Sequence, residues 1–361
     1  MRVLVVNAGS SSLKLRLLDA GDEGDTVVES ADLPAGAQGF DRDAVASTLA
    51  GWGAPDAVGH RIVHGGTIFT GPVVLDDDVE QKLRGLVDLA PLHQPKSLAG
   101  IDAVDAVVPD VPAVACFDTA FHATLPPAAS VYALPREWRE RYGLRRYGFH
   151  GLSHGYSARR VPQLADRPVR RLVSAHLGAG ASLTAIVDGR SVDTSMGFTP
   201  LEGLVMATRS GSVDPGLVLW LEEHEGISAH EVAEVLEHRS GLLALAGTAD
   251  LREITARNDA DARLALAVYV HHIAAGVGAM AVSAGGIDAL SFTGGVGENS
   301  AQVRAAVCDR LRFLGVDLDR DANGSVQPDA VVSMPSSSVL VVLVAAREDL
   351  EIARQTSACL S

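Results

Sequence analysis

Two stretches decide the architecture: residues 1–15, MRVLVVNAGSSSLKL, and residues 172–187, LVSAHLGAGASLTAIV. In the first, the apolar run Val3–Asn7 reads as a strand buried on both faces. Gly9 to Ser12 reads as a turn and Leu13–Leu18 as a second strand, which together make a hairpin. In the second, Leu172–His176 is a strand, Gly178 to Gly180 a turn, and Ser182–Val187 a second strand closed by Asp188-Gly189. Strand, small-residue turn, strand therefore occurs once in each half. Duplicated halves of this kind are expected to face each other across a cleft.

Outward from these hairpins, further strands are expected at Ala57–Ile62, Ala113–Phe117, Ala289–Thr293 and Ser338–Ala345. Helices are expected at Val79–Leu89, Ser97–Val107, His154–Ala165, His230–Glu237, Ala260–Ala284, Ala301–Leu314 and Glu348–Thr356. Strands alternating with helices indicate an α/β protein. The segment Asp22–Phe40 reads as loop and as a possible insertion, and there is no low-complexity tract or long linker.

A chain of 361 residues exceeds one ordinary core and suits two. Apolar residues make up 47% and aromatics only 4%, so Ala, Val, Leu and Gly must fill those cores. Lys and Arg number 30 against 45 Asp and Glu, a net charge of −15, which argues against nucleic acid and anionic membranes as partners. Cys116, Cys308 and Cys359 share no CxxC spacing, so neither a disulfide framework nor a zinc site is indicated. The N-terminal apolar run is too short for a signal peptide. Leu264–Ile287 lacks Asp, Glu, Lys and Arg and has the length of a membrane span. It also carries His271 and His272 and is broken by Gly276, Gly278, Gly285 and Gly286, which favours a buried helix, while the scattered cysteines suit the reducing cytosol of a cytoplasmic protein.

Three glycine-rich turns follow apolar strands: Asn7–Ser12, His176–Ser182 and Phe292–Ser300. Backbone N–H groups in such turns can converge on phosphate oxygens. One turn alone is commonly steric in origin, but three point to a nucleotide. None matches GxxxxGK[ST] or GxGxxG, so neither a P-loop nor a dinucleotide fold is expected. Arg61 in GHRIVHGG and Arg209 in ATRSGS lie in glycine-rich loops, where a guanidinium fork can grip a carboxylate or phosphate. His64, His93 and His150 sit in unusual surroundings, and His150, between Phe149 and Gly151, best fits a transition-state hydrogen-bond donor. Asp118 and Glu348 each follow an apolar run, a placement that suits Mg²⁺ and equally suits a helix N-cap or first-turn acid.

In order along the chain, VLVVNAGSSSLKL, GHRIVHGG, LAPLHQP, FDTAFHATLP, YGFHGLSH, HLGAGAS, TSMGFTPLEGLVMATRSGSVDPG, FTGGVGENS and EDLEIAR resemble the acetate kinase family. That family lies within the group of sugar kinases, Hsp70 and actin. The resemblance implies two domains with duplicated ribonuclease-H-like βββαβαβα cores, residues 1–118 with 350–361 and residues 119–349, and a homodimer. It implies Mg²⁺ (or Mn²⁺) and reversible transfer of phosphate from ATP to acetate, giving ADP and acetyl phosphate.

By that resemblance Arg61 and Arg209 bind the carboxylate and the moving phosphoryl group, His150 stabilises the transition state, and Asp118, with Asn7 and Glu348, organises the metal. Ser12 and Lys14 belong to the first phosphate loop. His176, Gly178, Gly180, Asp250, Leu251, Arg252, Gly295, Val296, Gly297 and Asn299 surround the nucleotide. Val63, Leu92, Phe149 and Pro200 line the methyl pocket, with His93 in support. All four pocket residues match the acetate pattern, and a smaller residue in place of Val63 is typical of the propionate-preferring branch.

The chain departs from the family at Ala179 (HLGNG has become HLGAG), Gln94, Ser212 and Arg347, and is shorter around Asp19–Asp41. Ala179 leaves open a different phosphoryl donor. Another short-chain acyl kinase and a non-catalytic nucleotide-binding protein are the remaining alternatives.

Overall fold

The computed structural model describes residues 1–9, 12–19, 26–36, 39–89 and 94–361. The chain forms two compact units: Met1–Ala123 with Phe149–Tyr156 and Arg347–Ser361, and Thr124–Gly148 with Ser157–Ala346. The first unit takes in 149–156 as well as the chain ends. Leu152 shares one core with Val3, Val5, Val114, Cys116, Ile352 and Ala353, and Gly151 N donates to Asp118 O at 2.8 Å.

The first unit holds β1 (Arg2–Ala8), β2 (Ser12–Asp19), β3 (Thr26–Pro34), β4 (Ala57–Ile62), β5 (Val73–Val74) and β6 (Ala113–Phe117). They form one sheet in the order β3-β2-β1-β4-β6-β5. β1, β2 and β3 are antiparallel, whereas β1, β4 and β6 run parallel. The second unit holds β7 (Arg171–Leu177), β8 (Ala181–Val187), β9 (Arg190–Thr194), β10 (Ala289–Thr293), β11 (Ala330–Val331) and β12 (Leu340–Leu343). Its sheet, β11-β12-β10-β7-β8-β9, repeats the first in order and direction: β9, β8 and β7 antiparallel, β7, β10 and β12 parallel, and a short antiparallel edge strand, β11, matching β5. The repeat inferred from two short hairpins is thus a repeat of whole sheets.

Each sheet is packed by helices. Gly59 of β4 lies against the C-terminal helix Glu348–Leu360, where a side chain would collide with Thr356. The long apolar helix Ala260–Ser283 begins at Asp259, whose side chain accepts from Ala262 N at 3.0 Å. It has the length and composition of a membrane span. It buries Ala265, Tyr269, Ile273 and Val277, and Gly276 lies so close to Leu183 of β8 that a side chain would clash, which is how a core helix packs.

Three local expectations change. Part of Asp22–Phe40 is strand β3, paired with β2 from Ser12↔Pro34 to Asp19↔Thr26, while residues 20–25 and 37–38 lie outside the described residues. β3 is mostly exposed, so burial imposes no apolar alternation for the sequence to show. β9 is likewise a strand that the sequence did not signal. Gly294–Asn299, expected as a turn, is a short helix. Its three glycines carry poor helix propensity, and its place after β10 overrides it.

Candidate active site

The register of the first sheet builds one cluster. β1, β4 and β6 run parallel, so Asn7, Arg61 and Asp118 all lie at the C-terminal ends of neighbouring strands, the usual place for α/β ligand sites. Arg61 donates from Nε at 3.1 Å and from Nη2 at 2.6 Å to Asp118 Oδ2, and from Nη1 at 3.1 Å to Asn7 Oδ1. Asn7 Nδ2 donates to Glu348 Oε2 at 3.3 Å, which itself stands 3.9 Å from Arg61 Nη1. Glu348 opens the C-terminal helix, so it is both a first-turn acid and a member of this cluster.

Burial is deep: the side chains of Asp118, Glu348 and Arg61 are 2%, 17% and 19% exposed. Burial and Glu348 push the Asp118 carboxyl up, and Arg61 pulls it back. Asp118 Oδ1 is buried and has no hydrogen-bond partner among the described residues. A lone pair of that kind, with Glu348 and the Asn7 amide alongside, fits a hard cation that keeps most of its waters. No group of three His, Cys, Asp or Glu forms a ready-made cage among the described residues, and Mg²⁺ does not require one. Arg347, which departs from the family next to this cluster, donates from Nε and Nη2 to Asp349 at 3.0 Å each. Its charge is offset locally.

Ser12 and Lys14 lie on β2 of this unit, with Lys14 in register opposite Asn7. Ser10 and Ser11 of the first glycine turn, like Leu92 and His93, lie outside the described residues. Gln94, in place of the family asparagine, is fully buried. It accepts from His64 N at 3.3 Å and donates to His64 O at 3.2 Å, so it fixes the end of the Val63-His64 segment. The ring of His64 meets Phe149 edge-on at 5.5 Å. His64 and Gln94 are structural contributors that no motif singled out as partners. Their spacing, 30 residues apart, carries no local signal.

His150 has φ of 56°, a left-handed conformation uncommon for a residue with a side chain. It is held there from both neighbours. Phe149 O faces His122 Nε2 at 3.0 Å, and because a carbonyl only accepts, that nitrogen carries the proton. Gly151 N bonds to Asp118 O, and a side chain at Gly151 would collide with that oxygen and lie 2.9 Å from Phe121 Cβ. Gly151→Ala is therefore expected to cost about 2–3 kcal/mol by overpacking and to lower kcat as well, because it displaces the Asp118 backbone whose carboxylate holds Arg61. Urea unfolding with steady-state kinetics checks this, and unchanged values of both would contradict it.

Burial pushes His64 and His122 down to about 4, the Phe149 carbonyl opposing it for His122. A folded-state value below the usual 6.5 means that the unfolded chain binds the proton more readily. The stabilisation is then complete above about pH 6.5 and is lost as pH falls towards about 4. Tm should be flat near neutrality and fall across that window. His122→Asn should remove part of the slope, worth about 3 kcal/mol at neutral pH, and an unaltered slope would contradict the assignment.

The second unit carries a cavity of about 860 Å³. Gly178, Asp250, Leu251, Arg252, Gly295, Val296 and Asn299 line it, together with Ala179, Ala207, Leu242, Ala249, Thr255 and Ser300. The cavity follows from topology. β7 ends at Leu177 and β10 at Thr293, and these parallel neighbours deliver the turn Gly178–Gly180 and the glycine-rich helix Gly294–Asn299 to the same edge. His176, Gly180 and Gly297 stand beside the lining rather than in it. A side chain at Gly178 would lie 3.4 Å from Gly180 O and 3.6 Å from His176 Nε2. Asp250 starts the helix Leu251–Ala256, accepting from Arg252 N at 2.8 Å and from Arg252 Nη2 at 2.6 Å. Ala179 is exposed at the wall, and its carbonyl accepts from Ala207 N at 3.2 Å. Ala207, Leu242 and Ala249 are small or apolar and were not anticipated.

Arg209 also belongs to this unit. Its Nη1 donates to Pro200 O at 3.2 Å and lies 3.7 Å from Met206 Sδ. Burial lowers its pKa, Glu237 opposing. A guanidinium desolvated among a carbonyl and a thioether, rather than against a carboxylate, is poised for an anion from outside the fold. Ser212, another departure from the family, accepts from Gly203 N at 3.1 Å through its hydroxyl.

A carboxylate–guanidinium cluster at the strand ends of one α/β half, and a glycine-walled cavity at the strand ends of its duplicate, define a phosphotransferase. The chain belongs to the acetokinase family, whose model matches residues 52–354. It is 41% identical over 393 residues to an acetate kinase of Carboxydothermus hydrogenoformans, covering 99% of this chain and 98% of that one. It is 44% identical over 396 residues to an acetate kinase of Coprothermobacter proteolyticus, with 99% and 98% covered. Among solved structures, Porphyromonas gingivalis acetate kinase superposes with a TM-score of 0.89 at 38% identity over 100% of both chains. A propionate kinase of Francisella tularensis superposes equally well, at 0.89 and 35% identity over 99% of each.

Proposed function

We propose that this protein is an ATP-dependent acetate kinase, transferring the γ-phosphoryl group of ATP reversibly to acetate to give acetyl phosphate and ADP. The observation that carries the reading is the buried Asn7–Arg61–Asp118–Glu348 cluster.

Acetate is already ionised at neutral pH, so the reaction needs no general base. It needs alignment and neutralisation of charge on the transferring group. Arg61 and Arg209 supply fixed positive charge to the carboxylate and the phosphoryl oxygens. His150 donates a hydrogen bond to charge that develops in transfer. Asp118 and Glu348, with Asn7, would hold Mg²⁺, which when bound offsets phosphate charge. The nucleotide is assigned to Asp250–Arg252 and Gly295–Asn299, and Ser12 and Lys14 are assigned a phosphate-binding role.

Acetate selectivity is assigned to Val63 and Phe149 of the first unit. Val63 and Phe149 are buried, at 9% and 1% exposure, and their bulk favours acetate over longer acids. Comparing kcat/KM for acetate, propionate and butyrate tests this. Each added methylene should lower it by about 10–200-fold, and a preference for propionate would overturn the acetate assignment. Ala179 at the cavity wall is compatible with a phosphoryl donor other than ATP, which the same assay with other donors decides.

We further read the protein as a cytoplasmic homodimer. Its cysteines are free, and the helix Pro215–His224 exposes Leu217 and Trp220, three residues apart on one face, an apolar surface suited to a second copy.

A further inference from the structure

We propose that Glu202 is a positioning residue which, clamped by Arg146 and Tyr132, sets the guanidinium of Arg209 through the loop Ser195–Gly203. The proposal rests on the reading of Arg209 as the cation for the carboxylate and phosphoryl group.

Glu202 uses both oxygens. Oε1 accepts from Arg146 Nη2 at 2.6 Å, and Oε2 accepts from Tyr132 OH at 2.6 Å. The same tyrosine oxygen accepts from Phe198 N at 2.9 Å. Arg146 Nη1 donates to Ser195 O at 3.1 Å and to Met196 O at 3.0 Å. Four positions of the loop, 195, 196, 198 and 202, are thereby tied to two side chains from 132–146. The closure passes over Gly197, where a side chain would strike both Glu202 and the tyrosine hydroxyl. A carboxylate shared between a guanidinium and a phenol gives charge-assisted bonds of fixed direction.

What the loop presents is Pro200 O, the oxygen that receives Arg209 Nη1. Arg209 makes no ion pair among the described residues, so that carbonyl is its principal directional restraint. The far side of the loop is tied separately: Ser212 N donates to Gly203 O at 3.0 Å. Releasing the clamp would free Pro200 O while leaving the Arg209 backbone held by Met206, whose N donates to Arg209 O at 3.1 Å. The expected lesion is misorientation of one side chain rather than loss of the unit.

Glu202→Gln and Tyr132→Phe test this, the second removing a single hydroxyl so that a foldable variant is at hand. Two quantities are read: the rate at which phenylglyoxal modifies Arg209, located by peptide mass spectrometry, and the KM values for acetate and for MgATP. The clamp predicts modification at least about fivefold faster, and KM for acetate raised about tenfold with KM for MgATP within about twofold. Unchanged Arg209 reactivity would overturn it. So would an acetate KM that stays put, or both KM values rising together with a falling Tm, the sign of a merely structural role. A wild-type protein that makes no acyl phosphate would sink the acetate kinase reading instead, and Arg209 reactivity would still decide the clamp.

Discussion

Asp118→Asn is expected to lower kcat by about 10³-fold, comparable to removing a preorganised electrostatic group in other active sites. The substitution keeps the shape of the side chain, so packing is not the cause. It removes the anion that accepts two hydrogen bonds from Arg61 at 3.1 and 2.6 Å. It also changes the buried Oδ1, whose lone pairs meet no donor among the described residues and are the natural contact for a hard cation. The remaining acidic partner of Arg61, Glu348, lies 3.9 Å away and compensates only in part. Breaking a buried pair typically costs about 3–5 kcal/mol, so Tm should fall together with kcat. Initial rates at saturating substrates check the first effect, and calorimetry the second. A kcat within tenfold of wild type would remove Asp118 from the chemistry.

Arg209→Ala should behave differently, with a kcat lower by about 10³-fold and stability nearly unchanged. Arg209 is desolvated beside Pro200 O and Met206 Sδ and opposes no carboxylate in an ion pair among the described residues. Its removal strands no buried charge, and the desolvation that lowers its pKa is relieved. Folding then gives up one hydrogen bond from a charged donor, about 1.5–3 kcal/mol, offset by the relieved desolvation, while catalysis gives up a cation held in place for the transition state. A large loss of stability with retained turnover would show that Arg209 serves the fold. The contrast between these two variants separates charge built into the structure from charge reserved for substrate.

Much of this was legible in the chain because parallel strands announce themselves. Ala57–Ile62, Ala113–Phe117 and Ala289–Thr293 are short apolar runs buried on both faces, and they form strands with those bounds. Once the strands of each sheet are placed in parallel, the residues that follow them must gather at the C-terminal edge of their own sheet, Asp118 in the first and the glycines after Leu177 and Thr293 in the second. β3 was hidden because it is an exposed edge strand, where no burial enforces a pattern. The helix Gly294–Asn299 was hidden because glycine-rich sequence argues locally for a turn while its tertiary setting decides otherwise. The contacts of Gln94 with His64, and of Glu202 with Arg146 and Tyr132, join residues 30, 56 and 70 apart. Separations of that kind follow from the fold and cannot be found from spacing.

The most direct test is to incubate the purified protein with MgATP and acetate and to trap acyl phosphate as the hydroxamate. The account predicts acetyl hydroxamate accumulating with ADP in a one-to-one ratio. A folded, nucleotide-binding protein that yields no hydroxamate from acetate would contradict it.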